Sequence, residues 1–146
     1  MSDITTGGQN ARSIGLLVVT HGGLAEELVA AALKIVGDID ALAAVSIDWD
    51  DDAGEAARRI EVGIRAVERD HGVLVLTDMF GGTPTNLALS QHDGVEVEVV
   101  TGVNLPMVIK FASLRGSPAL SEAAGRIADQ GREAIQVASE LLERDA

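Results

Sequence analysis

Residues 14–23 read Ile-Gly-Leu-Leu-Val-Val-Thr-His-Gly-Gly, an apolar run that ends in a threonine, a histidine and two glycines. The run has the length of a buried strand, and the glycines favour a turn into a helix. Two further apolar runs also end in a threonine: 73–76 ends in Thr77 before Asp78, and 95–100 ends in Thr101. We therefore predict three strands that present polar residues at their carboxyl ends.

Strand and helix patterns alternate along the whole chain. They predict strands over 14–20, 41–47, 73–77 and 95–100, and helices over 24–36, 53–69, 84–91, 104–114 and 120–130. Residues 134–142 are ambiguous, since Ile135 and Val137 alternate as in a short strand while Ser139 onwards resembles a helix. Such alternation predicts an α/β fold with a doubly wound, mainly parallel sheet of order 2-1-3-4 flanked by helices.

Composition bounds the class of protein. A chain of 146 residues predicts a single domain over 14–146 that follows a loose polar tail over 1–13. Apolar residues make up 47% and are mostly aliphatic, which suits parallel strands buried on both faces. The absence of cysteine excludes a disulfide framework, a thiolate metal site and a cysteine nucleophile. Neither a membrane-spanning run nor a signal peptide is visible, so we expect a cytoplasmic protein.

The formal charge is -12, from 23 acidic and 11 basic residues. Nucleic-acid binding depends on lysine and arginine that neutralise phosphates, so this chain should repel a polyanion. We predict no nucleic-acid partner.

In the strand order 2-1-3-4 the ligand-binding switch point lies between the first and third strands, which end in His21 and Asp78. An unprotonated imidazole can attack phosphorus. A carboxylate that accepts the proton of one ring nitrogen orients the other towards the substrate. We predict that His21 and Asp78 are catalytic. The alternatives are a histidine that bonds a backbone carbonyl and an aspartate that caps a turn.

Glycines beside both residues predict a phosphate-binding backbone. Gly22 and Gly23 precede a helix whose N–H groups and dipole favour an anion. Gly81 and Gly82 allow close approach of the backbone, and Thr83 offers a hydroxyl. The alternative is a plain strand-to-helix turn in each place.

Other polar residues have simpler interpretations. His71 and His92 lie beside glycine or aspartate and are interpreted as solvated loop residues. The acidic residues over 48–52 could attract a hard cation, but acidic side chains also favour the start of a helix. We interpret them as a helix start and predict no metal and no organic cofactor.

Three motifs together resemble one family. They are Val18-Val19-Thr20-His21-Gly22-Gly23, Asp78-Met79-Phe80-Gly81-Gly82-Thr83-Pro84-Thr85-Asn86 and Thr101-Gly102-Val103-Asn104-Leu105-Pro106. In this order they closely resemble the mannose-family IIA component of the bacterial phosphoenolpyruvate-dependent sugar phosphotransferase system. The resemblance covers about residues 14–142. Thr85 departs from it, because many members carry an aromatic residue after the proline.

The resemblance implies a phosphotransferase component with a transient phosphohistidine. His21 would accept a phosphoryl group from HPr and pass it to a IIB component on a separate chain. Asp78 would hydrogen-bond the active histidine, and Thr83 would lie near the phosphate. The resemblance also implies a homodimer that exchanges a C-terminal strand, here residues 134–138, and contact with the membrane only through a IIC/IID permease. The output would be transport or regulation.

Two other classes of function stay open from the residues. A receiver-like signalling module would be phosphorylated on Asp78, but it needs a Mg²⁺-holding acidic pair where this chain has Thr20 and His21. A module that binds an anion or nucleotide would use the same switch point, although the Gly-x-Gly-x-x-Gly fingerprint of dinucleotide binding is absent.

Overall fold

A computed structural model describes residues 13–79, 86, 88, 94–114 and 119–145. In chain order the elements are β1 (Gly15–His21), α1 (Leu24–Val36), β2 (Leu42–Ile47), α2 (Ala53–Val67), β3 (Val73–Thr77), β4 (Val97–Thr101), α3 (Leu105–Leu114), α4 (Leu120–Glu133) and α5 (Ala138–Asp145). The strands in this part of the chain form one sheet of order β2-β1-β3-β4, and every neighbouring pair is parallel. The predicted α/β fold and strand order are confirmed.

The strand register brings the carboxyl ends of the strands to one edge of the sheet. Val19 lies opposite Thr77, and Thr77 lies opposite Thr101. β1 continues two residues beyond this level and pairs its last residue, His21, with Ile47 of β2. His21 therefore stands at the rim of the sheet, between β2 and the residue that follows β3.

The core has two layers because the strands are buried on both faces. On one face, Leu16 and Val18 of β1 pack in a cluster with Phe111 of α3 and Ile127 of α4. On the other face, Leu17 and Val19 belong to a second cluster together with residues of α2, including Ile60, Ile64 and Val67. Side chains of β1 from Leu16 to Val19 are completely buried. This confirms that the aliphatic run 14–19 is a central strand.

Gly15 lets the end of α2 lie directly on β1. A Cβ atom at this position would stand 1.9 Å from the carbonyl oxygen of Val67. No side chain fits at that distance, so the glycine is required by packing rather than by backbone conformation. The close approach fixes the first residue of the strand that carries His21.

Some predicted boundaries are wrong by a few residues. α2 ends at Val67 rather than at residue 69, and β4 begins at Val97 rather than at residue 95. α4 continues to Glu133, past Gly131, where the prediction had ended the helix at residue 130. Gly131 packs closely against α3, since an added Cβ would lie 2.5 Å from the Met107 sulfur. The carbonyl of Gly131 also accepts a hydrogen bond from the side chain of Asn104.

Within this single chain, residues 134–138 form no strand. Ala134 has helical backbone angles at the end of α4, and α5 begins at Ala138, which leaves residues 135–137 as a connection between two helices. Ile135 and Val137 are exposed by 79% and 58%. The exchange of a strand between subunits stays a prediction, and the helix expected from Ser139 onwards is confirmed as α5.

Several predictions concern residues outside the described ranges. These include the tail, of which only Ser13 is described, and most of the helix over 84–91, of which Asn86 and Ala88 are described and are helical. The single domain over 14–146 stays a prediction. Within the described ranges, no helix has the length and apolar character needed to span a membrane.

Candidate active site

His21 and Asp78 meet at the carboxyl edge of the sheet. The Nδ1 atom of His21 lies 2.8 Å from Oδ2 of Asp78, and the backbone N–H of His21 donates to the same oxygen over 3.0 Å. The contact arises because Asp78 follows β3, the neighbour of β1. The predicted proximity is observed, while the catalytic roles of the two residues stay predictions.

The contact determines the tautomer of the ring. An ionised carboxylate only accepts hydrogen bonds, so the proton of the neutral imidazole lies on Nδ1 and the lone pair on Nε2. Both side chains are 16% exposed, so the pair is partly shielded from water. The remaining oxygen of Asp78, Oδ1, is buried and has no hydrogen-bond partner among the described residues.

Asp78 keeps its charge in spite of its burial. Burial raises the pKa of its carboxyl group. The hydrogen bond from the backbone N–H of His21, the hydrogen bond to the His21 ring and the positive charge of that ring in its protonated form together outweigh this effect. The net result is a pKa below the ordinary value of 3.8. Asp78 is therefore a carboxylate at neutral pH and can stabilise positive charge on the imidazole.

Thr20 supports the start of α1 from inside the sheet. Its hydroxyl oxygen accepts a hydrogen bond of 2.7 Å from the backbone N–H of Ala25 and donates one of 3.2 Å to the carbonyl of His21. Gly23 occupies the N-cap position and has no side chain to do so. Sequence reasoning missed this role, because the five-residue separation between Thr20 and Ala25 is not the usual capping interval.

The glycines of the predicted phosphate site differ from one another. Gly22 has φ 57, a left-handed conformation that favours glycine, but its N–H donates to the carbonyl of Ile47 over 2.8 Å. This N–H is thus bonded to the end of β2, and the contact of Gly22 with a phosphate stays a prediction. Gly23 lies at the N-terminus of α1, and its phosphate contact stays a prediction. Gly81, Gly82 and Thr83 lie outside the described residues.

A tryptophan lies on the face of the His21 ring, which the sequence analysis did not foresee. The ring centroids of His21 and Trp49 are 4.7 Å apart, with 25° between the ring planes. Trp49 comes from the turn after β2, and the two residues border a cavity of about 160 Å³. The available signal was the single tryptophan of the chain placed directly after a strand end next to β1.

The acidic residues after β2 have structural roles. Asp52 caps α2 by accepting a hydrogen bond of 3.1 Å from the backbone N–H of Glu55, which confirms the predicted helix start. Asp51 accepts from the backbone N–H of Asp48 and forms an ion pair with Arg59. The part of the chain that is described contains no group of three or more side chains arranged to hold a metal ion.

The predictions for the other histidines have different outcomes. His71 is exposed in the turn before β3, as predicted, and its backbone N–H donates to the carbonyl of Ser13. His92 lies outside the described residues.

The protein is a parallel α/β protein with a histidine–carboxylate pair at the carboxyl edge of its sheet. Comparison with known families identifies the family to which it belongs. A family model described as the PTS system fructose IIA component, EIIA-man, matches residues 15–128. This match covers most of the chain, so the protein belongs to the mannose-family IIA components of the phosphotransferase system.

Curated relatives agree with this assignment. The chain is 29% identical over 132 residues to the fructose-specific EIIA component of Bacillus subtilis, with 90% of each chain covered. It is 27% identical over 126 residues to the mannose-specific EIIAB component of Escherichia coli, covering 85% of this chain and 39% of that protein. The chain thus spans about two fifths of the length of the second relative.

Solved structures with the same fold include further IIA proteins. The IIA protein associated with the fucose utilization operon of Streptococcus pneumoniae superposes with a TM-score of 0.77 at 25% identity, covering 89% of this chain and 96% of that chain. The mannose/sorbose-specific IIA subunit of Enterococcus faecalis gives a TM-score of 0.74 at 29% identity, covering 86% and 94%.

Proposed function

We propose that this protein carries a phosphoryl group on His21, accepting it from HPr and passing it to a IIB component. The observation that carries the proposal is the 2.8 Å contact between His21 Nδ1 and Asp78 Oδ2. This contact leaves Nε2 as the ring nitrogen with a lone pair. Membership of the mannose-type IIA family supports the same assignment.

The transfer is a nucleophilic displacement at phosphorus. Nε2 of His21 forms a new P–N bond while the P–N bond to the phosphohistidine of the donor breaks, and the donor nitrogen keeps the electron pair of that bond. The ring of His21 becomes positively charged as the bond forms, and the carboxylate of Asp78 stabilises this charge at Nδ1–H. Because both partners hold the same kind of bond, catalysis consists mainly of positioning and charge stabilisation.

The bound phosphoryl group requires donors of its own. We propose the backbone N–H of Gly23, at the N-terminus of α1 where the helix dipole favours an anion, together with Gly81, Gly82 and Thr83. Gly22 contributes its left-handed conformation, which turns the chain from β1 into α1. Repulsion keeps Asp78 away from the phosphate, and the imidazole lies between them.

The proposal extends to assembly and location. We propose a cytoplasmic homodimer that reaches the membrane only through a IIC/IID permease, in transport or in regulation. Exposed apolar residues near the C-terminus, Ile135, Val137 and Leu142, support a subunit contact there. The relatives carry names of different sugars, so the proposal extends to the IIA step and not to a sugar.

The direct test is phosphorylation of the purified protein with labelled phosphoenolpyruvate, enzyme I and HPr. We expect one labelled site in the wild type and none in His21→Ala. His71→Ala is the matched control, since it removes an exposed histidine far along the chain, and it should be labelled fully. A phosphohistidine is lost in acid and survives base. Full labelling of His21→Ala, or a linkage that base destroys, would refute the assignment and would favour an acyl phosphate on Asp78.

A further inference from the structure

We propose that Trp49 is a positioning residue that holds the plane of the His21 imidazole ring during phosphoryl transfer. This inference rests on the proposed function of His21. Trp49 contributes neither a proton nor a ligand atom, and it packs on the face of the reacting ring.

The bond to Asp78 cannot fix the ring by itself. A hydrogen bond keeps much of its strength until it bends below about 120°, so the contact at Nδ1 leaves the ring free to tilt. The new P–N bond forms in the plane of the ring, and a tilt therefore moves Nε2 away from the phosphorus. In reactions of this kind a displacement of about 1 Å can cost about a hundredfold in rate.

Trp49 restricts this tilt. Its indole lies 4.7 Å from the imidazole centroid, with 25° between the planes, which is an offset-stacked arrangement. Stacking covers a face of the imidazole and does not involve its edge, where Nε2 lies. Asp78 thus determines which nitrogen reacts, and Trp49 determines the direction in which it points.

The turn that carries Trp49 is held in place by specific bonds. The backbone N–H of Asp48 donates to Oδ2 of Asp51 over 2.8 Å, and the N–H of Asp51 donates back to the carbonyl of Asp48 over 3.1 Å. Arg59 of α2 pairs with the same carboxylate and donates to the carbonyl of Ser46 over 2.9 Å. Asp51 and Arg59 therefore tie the turn to both β2 and α2.

The two rings are also joined through the backbone. Ile47 pairs with His21 in the sheet, and its carbonyl accepts the hydrogen bond from Gly22. Trp49 follows Ile47 by two residues, so both rings project from one short bonded segment. Trp49 is 82% exposed and takes no part in either core cluster. Its position is thus explained by the site rather than by the core.

The stack can be tested without any phosphoryl transfer, because Trp49 is the single tryptophan of the chain. We expect the emission of wild-type protein to change in His21→Ala and to stay the same in His71→Ala. In Trp49→Ala, the His21 ring-proton resonances should move downfield as the ring current of the indole is lost. Equal emission in the two histidine variants, or unmoved resonances, would overturn the inference.

Kinetics separate positioning from docking. We expect Trp49→Ala to lower kcat for transfer from HPr about two- to tenfold, the factor that an aromatic pair contributes, with KM unchanged. Trp49→Phe should recover most of the loss because it keeps a stacking ring. Ile35→Ala, which shortens an apolar side chain of 60% exposure on α1, is the control and should match the wild type. A raised KM with unchanged kcat would show a docking contact instead and would overturn the inference.

Two variants in the turn after β2 test whether the hydrogen bonds of this turn hold Trp49 in place, while both rings stay intact. Asp51→Ala removes the side chain that closes the turn. We expect it to change the emission in the same direction as His21→Ala does, and to lower kcat as Trp49→Ala does. Asp50→Ala removes an equal charge from the same turn and should change neither, since no hydrogen bond of its side chain is found among the described residues. Equal effects of the two variants would indicate a charge effect and contradict the inference. If the wild type accepted no phosphoryl group, the proposed function would fail, while emission and ring resonances would still decide whether Trp49 holds the ring.

Discussion

In the described part of the chain, Asp78 and Trp49 both contact the ring of His21, and they come from different kinds of structure. Asp78 follows a central strand, is 16% exposed and bonds the edge of the ring, whereas Trp49 lies in a turn, is 82% exposed and covers a face of the ring. The first contact depends on strand order and register, and the second depends on the hydrogen bonds of one turn. In our proposal the sheet therefore determines which ring nitrogen carries the lone pair, and the turn after β2 restricts the orientation of the ring.

Of the changes considered, a substitution of Asp78 should reduce the rate of phosphoryl transfer most. Asp78→Asn keeps the shape of the side chain but removes the charge that stabilises the ring during transfer. We expect the rate of phosphoryl transfer through His21 to fall about a hundredfold or more, without complete loss of acceptance. Rapid-quench measurement of the first turnover would give this rate.

Asp70→Asn is the matched control for that measurement. Asp70 is an exposed carboxylate close to the opposite, amino end of β3. The Asp70→Asn variant should transfer the phosphoryl group at the wild-type rate. An unchanged rate in Asp78→Asn would show that the comparison between the two contacts is mistaken and that the carboxylate has no part in the reaction.

The strand that carries His21 can be disturbed from its other end. Gly15→Ala places a Cβ atom at 1.9 Å from the Val67 carbonyl oxygen, so α2 has to move. We expect the free energy of unfolding to fall by about 1 to 3 kcal/mol, measured by urea denaturation.

Gly125→Ala provides the contrast for Gly15→Ala. Gly125 lies in α4, and an added Cβ would meet nothing within 4 Å. Since alanine favours a helix more than glycine does, this variant should gain up to about 1 kcal/mol. Equal destabilisation of both variants would contradict the packing argument for Gly15.

A smaller effect is expected at the threonine inside the site. Thr20→Val keeps the volume of the side chain but loses the oxygen that accepts from the N–H of Ala25. We expect a loss of about 1 to 2 kcal/mol in the free energy of unfolding. Thr20→Ser keeps the oxygen and should lose less, and a serine variant as unstable as the valine variant would assign the effect to the methyl group.

The smallest change is expected in the pH dependence of the free energy of unfolding, through the ionisation of Asp78. The pKa of Asp78 in the folded protein lies below its ordinary value of 3.8, so the folded state binds fewer protons than the unfolded state there. The stabilisation is fully present above this value and is lost as the pH falls through the lower, folded pKa. As the pH is lowered from about 5, urea titrations should therefore show a steeper loss of stability for the wild type than for Asp78→Asn. Parallel curves would contradict the shift.

Much of this fold follows from patterns in the sequence. Short aliphatic runs separated by helical periodicity predicted the parallel sheet, and the strand order placed His21 beside Asp78. α1 matches its predicted limits, Leu24 and Val36, because the glycines before it and Gly37 after it are strong turn signals.

Other features could not be predicted from local sequence patterns, because they depend on contacts between residues that are distant in the chain. Gly131 marked a helix end in the sequence but packs against Met107 inside α4. The alternation of Ile135 and Val137 resembled a strand, but these residues connect two helices. Trp49 lies beside His21 in a turn that Asp51 closes, and the N–H of Gly22 is bonded to the carbonyl of Ile47.

The proposal that His21 carries the phosphoryl group on Nε2 can be checked by identifying the atom that is bonded to phosphorus. Nitrogen-15 and phosphorus-31 NMR of the phosphorylated protein, with labelled histidine, would show which ring nitrogen is bonded to phosphorus. Because Nδ1 of His21 bonds Asp78, the phosphorus should be coupled to Nε2 of that residue. Phosphorus on Nδ1 of His21, on another histidine or on the carboxylate of Asp78 would contradict the account.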